Sequence, residues 1–118
     1  MVSSFRDLRI YQESYEVTKR IYRIARKFPK EETYALTSQI RRAATSIPLN
    51  IAEGYAKNDS AAELKRFLKM AMGSCAEVEV LVDMARDLGY IEDAEHDELI
   101  SVYEKVGKQI NAFMRKIR

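Results

Sequence analysis

The apolar positions of this chain recur every three to four residues in four long segments, the period of helices packed along one side. The stretch around which the others are arranged is Leu36 to Gly54, LTSQIRRAATSIPLNIAEG. At about 100° per residue it separates into two stripes. Leu36, Ile40, Ala43, Ala44, Ile47 and Ile51 form an apolar stripe, and Gln39, Arg42, Ser46, Asn50 and Glu53, spaced 3, 4, 4 and 3 apart, form a polar seam beside it. Pro48 falls in the middle. A proline inside a helix costs about 3 kcal/mol or more unless the carbonyls it frees, here near Ala44, find other partners.

The flanking segments read the same way. Ser4 is placed to cap a first helix that runs to about Lys27 and stops before Pro29. Its apolar residues make two adjacent stripes: Leu8, Tyr11, Tyr15, Tyr22 and Ala25, then Ile10, Val17, Ile21, Ile24 and Phe28. Together they cover about 200° of the circumference, more than one small bundle can hide. Glu31 and Glu32 suit the positive start of helix two, and Gly54 is a natural left-handed stop for it. Ala56-Lys57-Asn58-Asp59 forms the next loop. Ser60-Ala61-Ala62-Glu63 is a full capping box opening helix three, Ala61 to Leu88, which ends at Gly89. Gly73 and Ser74 sit inside that helix, where close approach by a neighbour is the expected reason for a glycine. Asp93 is placed to cap helix four, whose acidic start and basic end (Arg115, Lys116, Arg118) match the helix dipole. Its core stripe is Leu99, Val102, Tyr103, Val106, Ile110, Phe113 and Ile117. The pattern predicts an all-α fold: residues 1–118 form a single domain, an antiparallel up-down-up-down four-helix bundle. The wide apolar arcs of helices one and three predict that copies of the chain cover one another as a homo-oligomer.

Composition adds limits. Two prolines and four glycines in 118 residues leave few breaks. One cysteine excludes an internal disulfide and fits a reducing cytoplasm, the expected location. No apolar run approaches the roughly 20 residues of a membrane span. The net charge of +2 is unevenly spread. Residues 1–30 hold eight basic against three acidic side chains, net +5; the remaining 88 hold 12 against 15, net −3. A basic first helix on a slightly acidic body permits binding to nucleic acid or to an acidic partner.

Catalytic chemistry is missing from the pattern. His96 is the single histidine, expected in a solvated first turn among acids, and a histidine metal site or His-dependent nucleophile needs more partners. Cys75 falls on an apolar face and reads as a buried small hydrophobe. The acidic cluster from Glu92 to Glu98 lacks calcium-loop spacing, and Glu77 and Glu79 point about 200° apart on one helix. No enzyme, no cofactor, no metal and no small-molecule substrate is expected. Three features remain. The polar seam suits a hydrogen-bonded network at a helix or subunit junction, with Arg42 and Glu53, about 16 Å apart along one helix, each seeking another helix or subunit. The basic arc of helix one, Arg9, Lys19, Arg20, Arg23 and Arg26, suits phosphate contact, and Arg41 and Arg66, with Lys65 and Lys69, could extend it. Exposed aromatics for base stacking cannot be identified, since most tyrosines fall on apolar stripes.

FPKEETYALTSQIRRAATSIPLNIAEGYAKN followed by RFLKMAMGSCAEVEVL resembles the four-helix bundle family encoded in intervening sequences of bacterial 23S rRNA genes. Phe28-Pro29, Leu36 to Gln39, Arg41 to Ala43, Ser46 to Pro48, Asn50 to Gly54, Phe67-Leu68 and Gly73-Ser74 carry the resemblance, which extends over nearly the whole chain. It implies a ring-like homopentamer of antiparallel bundles. It also implies kinship with the accessory protein of diversity-generating retroelements, a basic protein associated with nucleic acid and reverse transcriptase. Tyr11 stands where members often have tryptophan, and Met72 where they often have arginine, which removes a charge from helix three. The expected partners are further copies of the chain and, through the basic residues, RNA or another nucleic acid; the alternative is an oligomeric protein-interaction scaffold without nucleic acid.

Overall fold

The computed structural model describes residues 4–57 and 59–117; Asn58 and Arg118, assigned above to a loop and to a basic last turn, lie outside the described residues. Among the described residues the chain is all-α, with no strand. It has four long helices: α1 (Arg9–Ala25), α2 (Leu36–Ala56), α3 (Ala61–Asp87) and α4 (Asp93–Arg115). Single 3-10 turns, Phe5–Asp7 and Lys30–Glu32, precede α1 and α2. A 27-residue helix such as α3 is about 40 Å long, which matches the long axis of the 44 × 25 × 20 Å body. The helices therefore lie along that axis. Each packs on the next in sequence, and α1 meets α4 more loosely, leaving a groove of about 490 Å3 beside Val17 and Val102.

The core is the apolar stripe of each helix. Ile21 of α1, Ile40, Ile47 and Ile51 of α2, Leu68 and Val78 of α3, and Leu99, Val106 and Ile110 of α4 are at most 2 % exposed. Burying each such side chain stabilises the fold by about 1.5–3 kcal/mol. Of the two stripes on α1, the Ile10–Phe28 stripe is buried, whereas Tyr15 and Tyr22 of the other are 46 % and 40 % exposed. Met70, Val80, Met84 and Leu88 leave a second exposed apolar set on α3. No helix among the described residues is long and apolar enough to cross a membrane.

Pro48 is tolerated because α1 supplies the missing donor. The proline has no N–H to give the Ala44 carbonyl, and Ala44 is fully buried. Thr18 of α1, itself 9 % exposed, directs its hydroxyl at that carbonyl, 3.1 Å away, and at its own helix's Ser14 carbonyl at 2.7 Å. The hydroxyl proton is shared between the two. A buried acceptor that the helix ladder abandons is thus satisfied from the neighbouring helix.

Several local expectations need correcting. Ser4 caps the 3-10 turn, accepting from Arg6 N at 3.1 Å, and α1 starts only at Arg9 and ends at Ala25. Gly54 is no left-handed stop. It lies within α2, buried, and a Cβ there would stand 2.7 Å from Phe67 Cβ of α3. Close approach is therefore the role of Gly54 and not of Gly73, where a Cβ would meet nothing within 4 Å. Asp93 is the first residue of α4 and not its cap; Glu92 takes the cap position without a side-chain bond. The capping box forms by its Ser60 half: Ser60 Oγ accepts from Glu63 N at 3.1 Å, while the Glu63 carboxylate pairs with Arg66. Glu32, expected to suit the start of helix two, accepts from Leu36 N at 3.3 Å, and the cap position itself falls to Ala35. Gly89 closes α3 at φ +82°.

Candidate functional site

The basic arc of α1 divides into engaged and free cations. Arg9 pairs with Glu13 at 3.1 Å and Lys19 with Glu16 at 3.0 Å, both within the helix. Arg20 crosses to α4, where it bonds Glu98 and lies 3.8 Å from Glu95. Arg66 is held by Glu63 through two bonds of 2.9 and 3.0 Å. Arg41 turns inward instead of extending the surface: its guanidinium lies 5.1 Å from the Tyr22 ring centre, and Nη2 donates to the Tyr22 carbonyl at 3.4 Å. Arg23, Arg26 and Lys27 have no ion pair among the described residues. With Arg20, Ile24 and Glu95 they line an open cleft of about 560 Å3 where the end of α1 meets the start of α4. The arc thus contracts to one basic end.

Aromatics reach the surface after all. Phe5, Tyr11 and Tyr15 form a run with ring centres 5.0 and 5.7 Å apart, Lys19 Nζ lies 5.3 Å from the Tyr15 centroid, and Tyr34 is 96 % exposed. Tyr15 and Tyr22 lie at the margin of their apolar stripe, which the helical wheel alone could not separate from its centre.

The polar seam of α2 is knitted at its centre and open at its ends. Ser46 Oγ donates to the Ala43 carbonyl at 2.8 Å and exchanges a hydrogen bond with Ser74 Oγ of α3. Asn50 Nδ2 donates to the Ser46 carbonyl at 2.7 Å. Glu53 pairs with Lys57, four residues on, at 3.1 Å. Its charge also acts across to Arg66 of α3, adding to the hydrogen bond with Glu63 that raises that guanidinium's pKa. Gln39 and Arg42 point to solvent, and Arg42 has no ion pair among the described residues.

His96 is not in a solvated turn. It is buried at the α3–α4 joint, with Nε2 2.7 Å from Asp83 Oδ1 and Nδ1 2.8 Å from Asp97 Oδ1. The hydrogen bonds to Asp83 and then Asp97 raise its pKa above the usual 6.5, against burial and the nearby Arg86. The sequence offered one signal for this clamp, acids flanking an isolated histidine, but not the Asp83 that completes it from another helix. Cys75 is buried, and desolvation pushes its thiol up to about 12. Beside it Tyr103 is fully buried with its hydroxyl unpartnered, and burial raises that phenol too.

Comparison with solved structures finds a protein of unknown function from the S23 ribosomal protein family of Bacteroides thetaiotaomicron VPI-5482. It is 21 % identical, with 91 % of this chain and 99 % of that one covered and a TM-score of 0.83, a likeness of fold. The sequence matches none of the curated proteins. The family model described as the 23S rRNA-intervening sequence protein matches residues 6–112, nearly the whole length over which the helices and their seams have been traced. The chain belongs to the 23S rRNA-intervening sequence protein family.

Proposed function

We propose that this protein is a non-catalytic, ring-forming homo-oligomer, a homopentamer by its family resemblance, that holds RNA through phosphate contacts at one basic end of each subunit. Each subunit is an antiparallel up-down-up-down bundle. That topology is supported by the pairings Gly54 with Phe67 and Ser46 with Ser74 between α2 and α3, and Arg20 with Glu98 and Glu13 with Lys105 between α1 and α4. Assembly is supported by the exposed tyrosines of α1 and the exposed methionines and valine of α3. The cytoplasm is the setting.

The observation that carries the RNA reading is the cluster Arg23, Arg26 and Lys27, cations with no carboxylate to satisfy them, around an open cleft. Arg9 remains available to the same ligand, because an exposed intrahelical pair contributes only about 0.3–0.5 kcal/mol and yields readily to phosphate. Arg41 and Arg66 are assigned no contact: one lies against Tyr22, the other is doubly bonded to Glu63.

Filter binding against a structured RNA at two salt concentrations tests this. Affinity should fall steeply with salt, and Arg23→Glu with Arg26→Glu should weaken binding at least tenfold and flatten the salt slope by roughly one per lost phosphate contact. Arg66→Glu should leave both unchanged. Absence of binding at low salt ends the RNA reading. The scaffold alternative, favoured by the exposed Leu49, Val80 and Met84, then stands, and it requires protein capture that survives nuclease.

A further inference from the structure

Two glycines inside helices have no reason within the chain. Gly73 in α3 and Gly107 in α4 each weaken their helix by about 1 kcal/mol relative to alanine, yet a Cβ at either would meet nothing within 4 Å. Gly107 and Ala76 line a shallow depression of about 410 Å3 between α3 and α4, bordered by Met72, Glu79, Glu104 and Lys108. Gly73 lies one turn from Ala76 along α3, and Val80, 58 % exposed, follows one turn further. A floor of small residues lets a foreign helix approach closely, at roughly 8 Å between axes. Glu79 and Glu104 have no ion-pair partner among the described residues.

The opposite flank has complementary features. Tyr15, Lys19 and Tyr22 are spaced 4 and 3 apart on α1, a heptad-like ridge. Tyr22 and Thr45 exchange a hydrogen bond of 3.2 Å, which places the ridge on the α1–α2 flank. In a bundle whose neighbours run α1, α2, α3, α4 around the axis, the α1–α2 and α3–α4 flanks face opposite ways. One flank is aromatic with a cation at Lys19, and the other is pitted, with two carboxylates, Glu79 and Glu104, against the single Lys108.

We propose that the α1 ridge of one copy seats in the α3–α4 depression of the next, with Tyr15 and Tyr22 over the floor of Ala76 and Gly107, and Lys19 toward Glu79 and Glu104. The inference rests on the oligomer reading above and names its interface. The contact is heterologous: different patches meet, so repetition generates a ring where the rotation closes. Desolvation of the tyrosines in the depression supplies most of the affinity, and the exposed charge pairs set partner choice and direction.

Light scattering at micromolar concentration, with helicity followed by circular dichroism, tests the proposal on the full chain. Gly107→Gln and Gly73→Gln fill open space with a better helix former, so both should fold at least as stably as the parent. Both should lower the mass toward the 13.7 kDa of one chain or raise the dissociation constant at least tenfold. In a second arm, Tyr22→Cys and Gly107→Cys proteins carrying different tags are mixed and oxidised; buried Cys75 can stay. A mixed disulfide should form on mixing and not within either protein alone. A parent that is monomeric removes the oligomer reading and this interface with it. An oligomeric parent whose mass survives both glutamine substitutions, or Tyr22→Cys chains that cross-link to one another, overturns the interface alone. So does loss of RNA binding at unchanged mass in Tyr22→Ala, which makes the ridge a nucleic-acid surface.

Discussion

Replacing Thr18 by valine should destabilise the fold far more than the loss of one surface hydroxyl. Valine keeps the shape of the side chain and its place against α2, so no cavity opens. What disappears is the donor 3.1 Å from the Ala44 carbonyl. The Ser14 carbonyl loses only a supplementary partner, since it accepts the Thr18 backbone N–H within α1. The Ala44 carbonyl loses its substitute donor altogether, because residue 48 is proline and has no N–H to offer. Ala44 and Ile47 are fully buried, so water cannot take the place of the hydroxyl. An acceptor left unsatisfied in such surroundings costs about 1–3 kcal/mol, or on the order of 4–12 °C in melting temperature for a chain of this size.

The same reasoning fixes a double-mutant cycle. Pro48→Ala returns an N–H four residues from Ala44, so the carbonyl no longer depends on α1. In that background Thr18→Val should cost markedly less, leaving a coupling energy of about 1 kcal/mol or more between residues on different helices. Urea unfolding of the four proteins at one fixed protein concentration measures it, the concentration being held because assembly shifts apparent stability. Additivity within about 0.3 kcal/mol, or a Thr18→Val protein as stable as the parent, would falsify the account of how Pro48 is accommodated.

Gly54→Ala should lower stability by about 1–3 kcal/mol in the same unfolding assay, since its Cβ would stand 2.7 Å from Phe67 Cβ on the facing helix; an unchanged midpoint would show that α2 and α3 can part freely. The raised pKa of His96 means that protonation favours the folded state, so this contribution is complete below about pH 6.5 and is lost as pH rises through the higher folded value. Melting temperature should therefore decline over that interval, His96→Gln should remove that decline, and an NMR titration of the single histidine should give a midpoint above 6.5. Cys75, with its thiol pushed up to about 12, should resist a thiol reagent at about pH 8 while folded and react fully in denaturant; rapid native labelling contradicts its burial.

Helix placement was legible because it rests on local chemistry. The 3.6-residue period, the Ser60–Glu63 cap and Gly89 each act within a few residues, and α2 and α3 begin where the sequence places them and end within two residues of it. What lay hidden depends on pairs of helices. Gly54 reads as a stop until Phe67 is brought against it, and Gly73 reads as a packing glycine until the space above it is found open. His96 sits among acids in either account, but only the fold adds Asp83 from α3 and takes the ring out of water. Thr18 shows its purpose only once packing sets the Ala44 carbonyl of α2 beside its hydroxyl.

The candidate site divides along the same line. Charge sequence alone placed seven cations in one class, and geometry sorts them by what each faces. Arg66 is three residues from Glu63, a spacing that puts the two on one face of the helix, so its engagement was readable in principle. Arg20 meets Glu98 across 78 positions of sequence, and Arg41 meets the face of Tyr22 on another helix; neither follows from spacing. Arg23 and Arg26 are left because α1 runs out of acidic residues after Glu16 and because α4 presents its acids to Arg20. A basic end therefore arises from subtraction, as helix pairing neutralises some charges and leaves others. The two arginines at the end of α1 are therefore the pair whose reversal should weaken the proposed phosphate contact most.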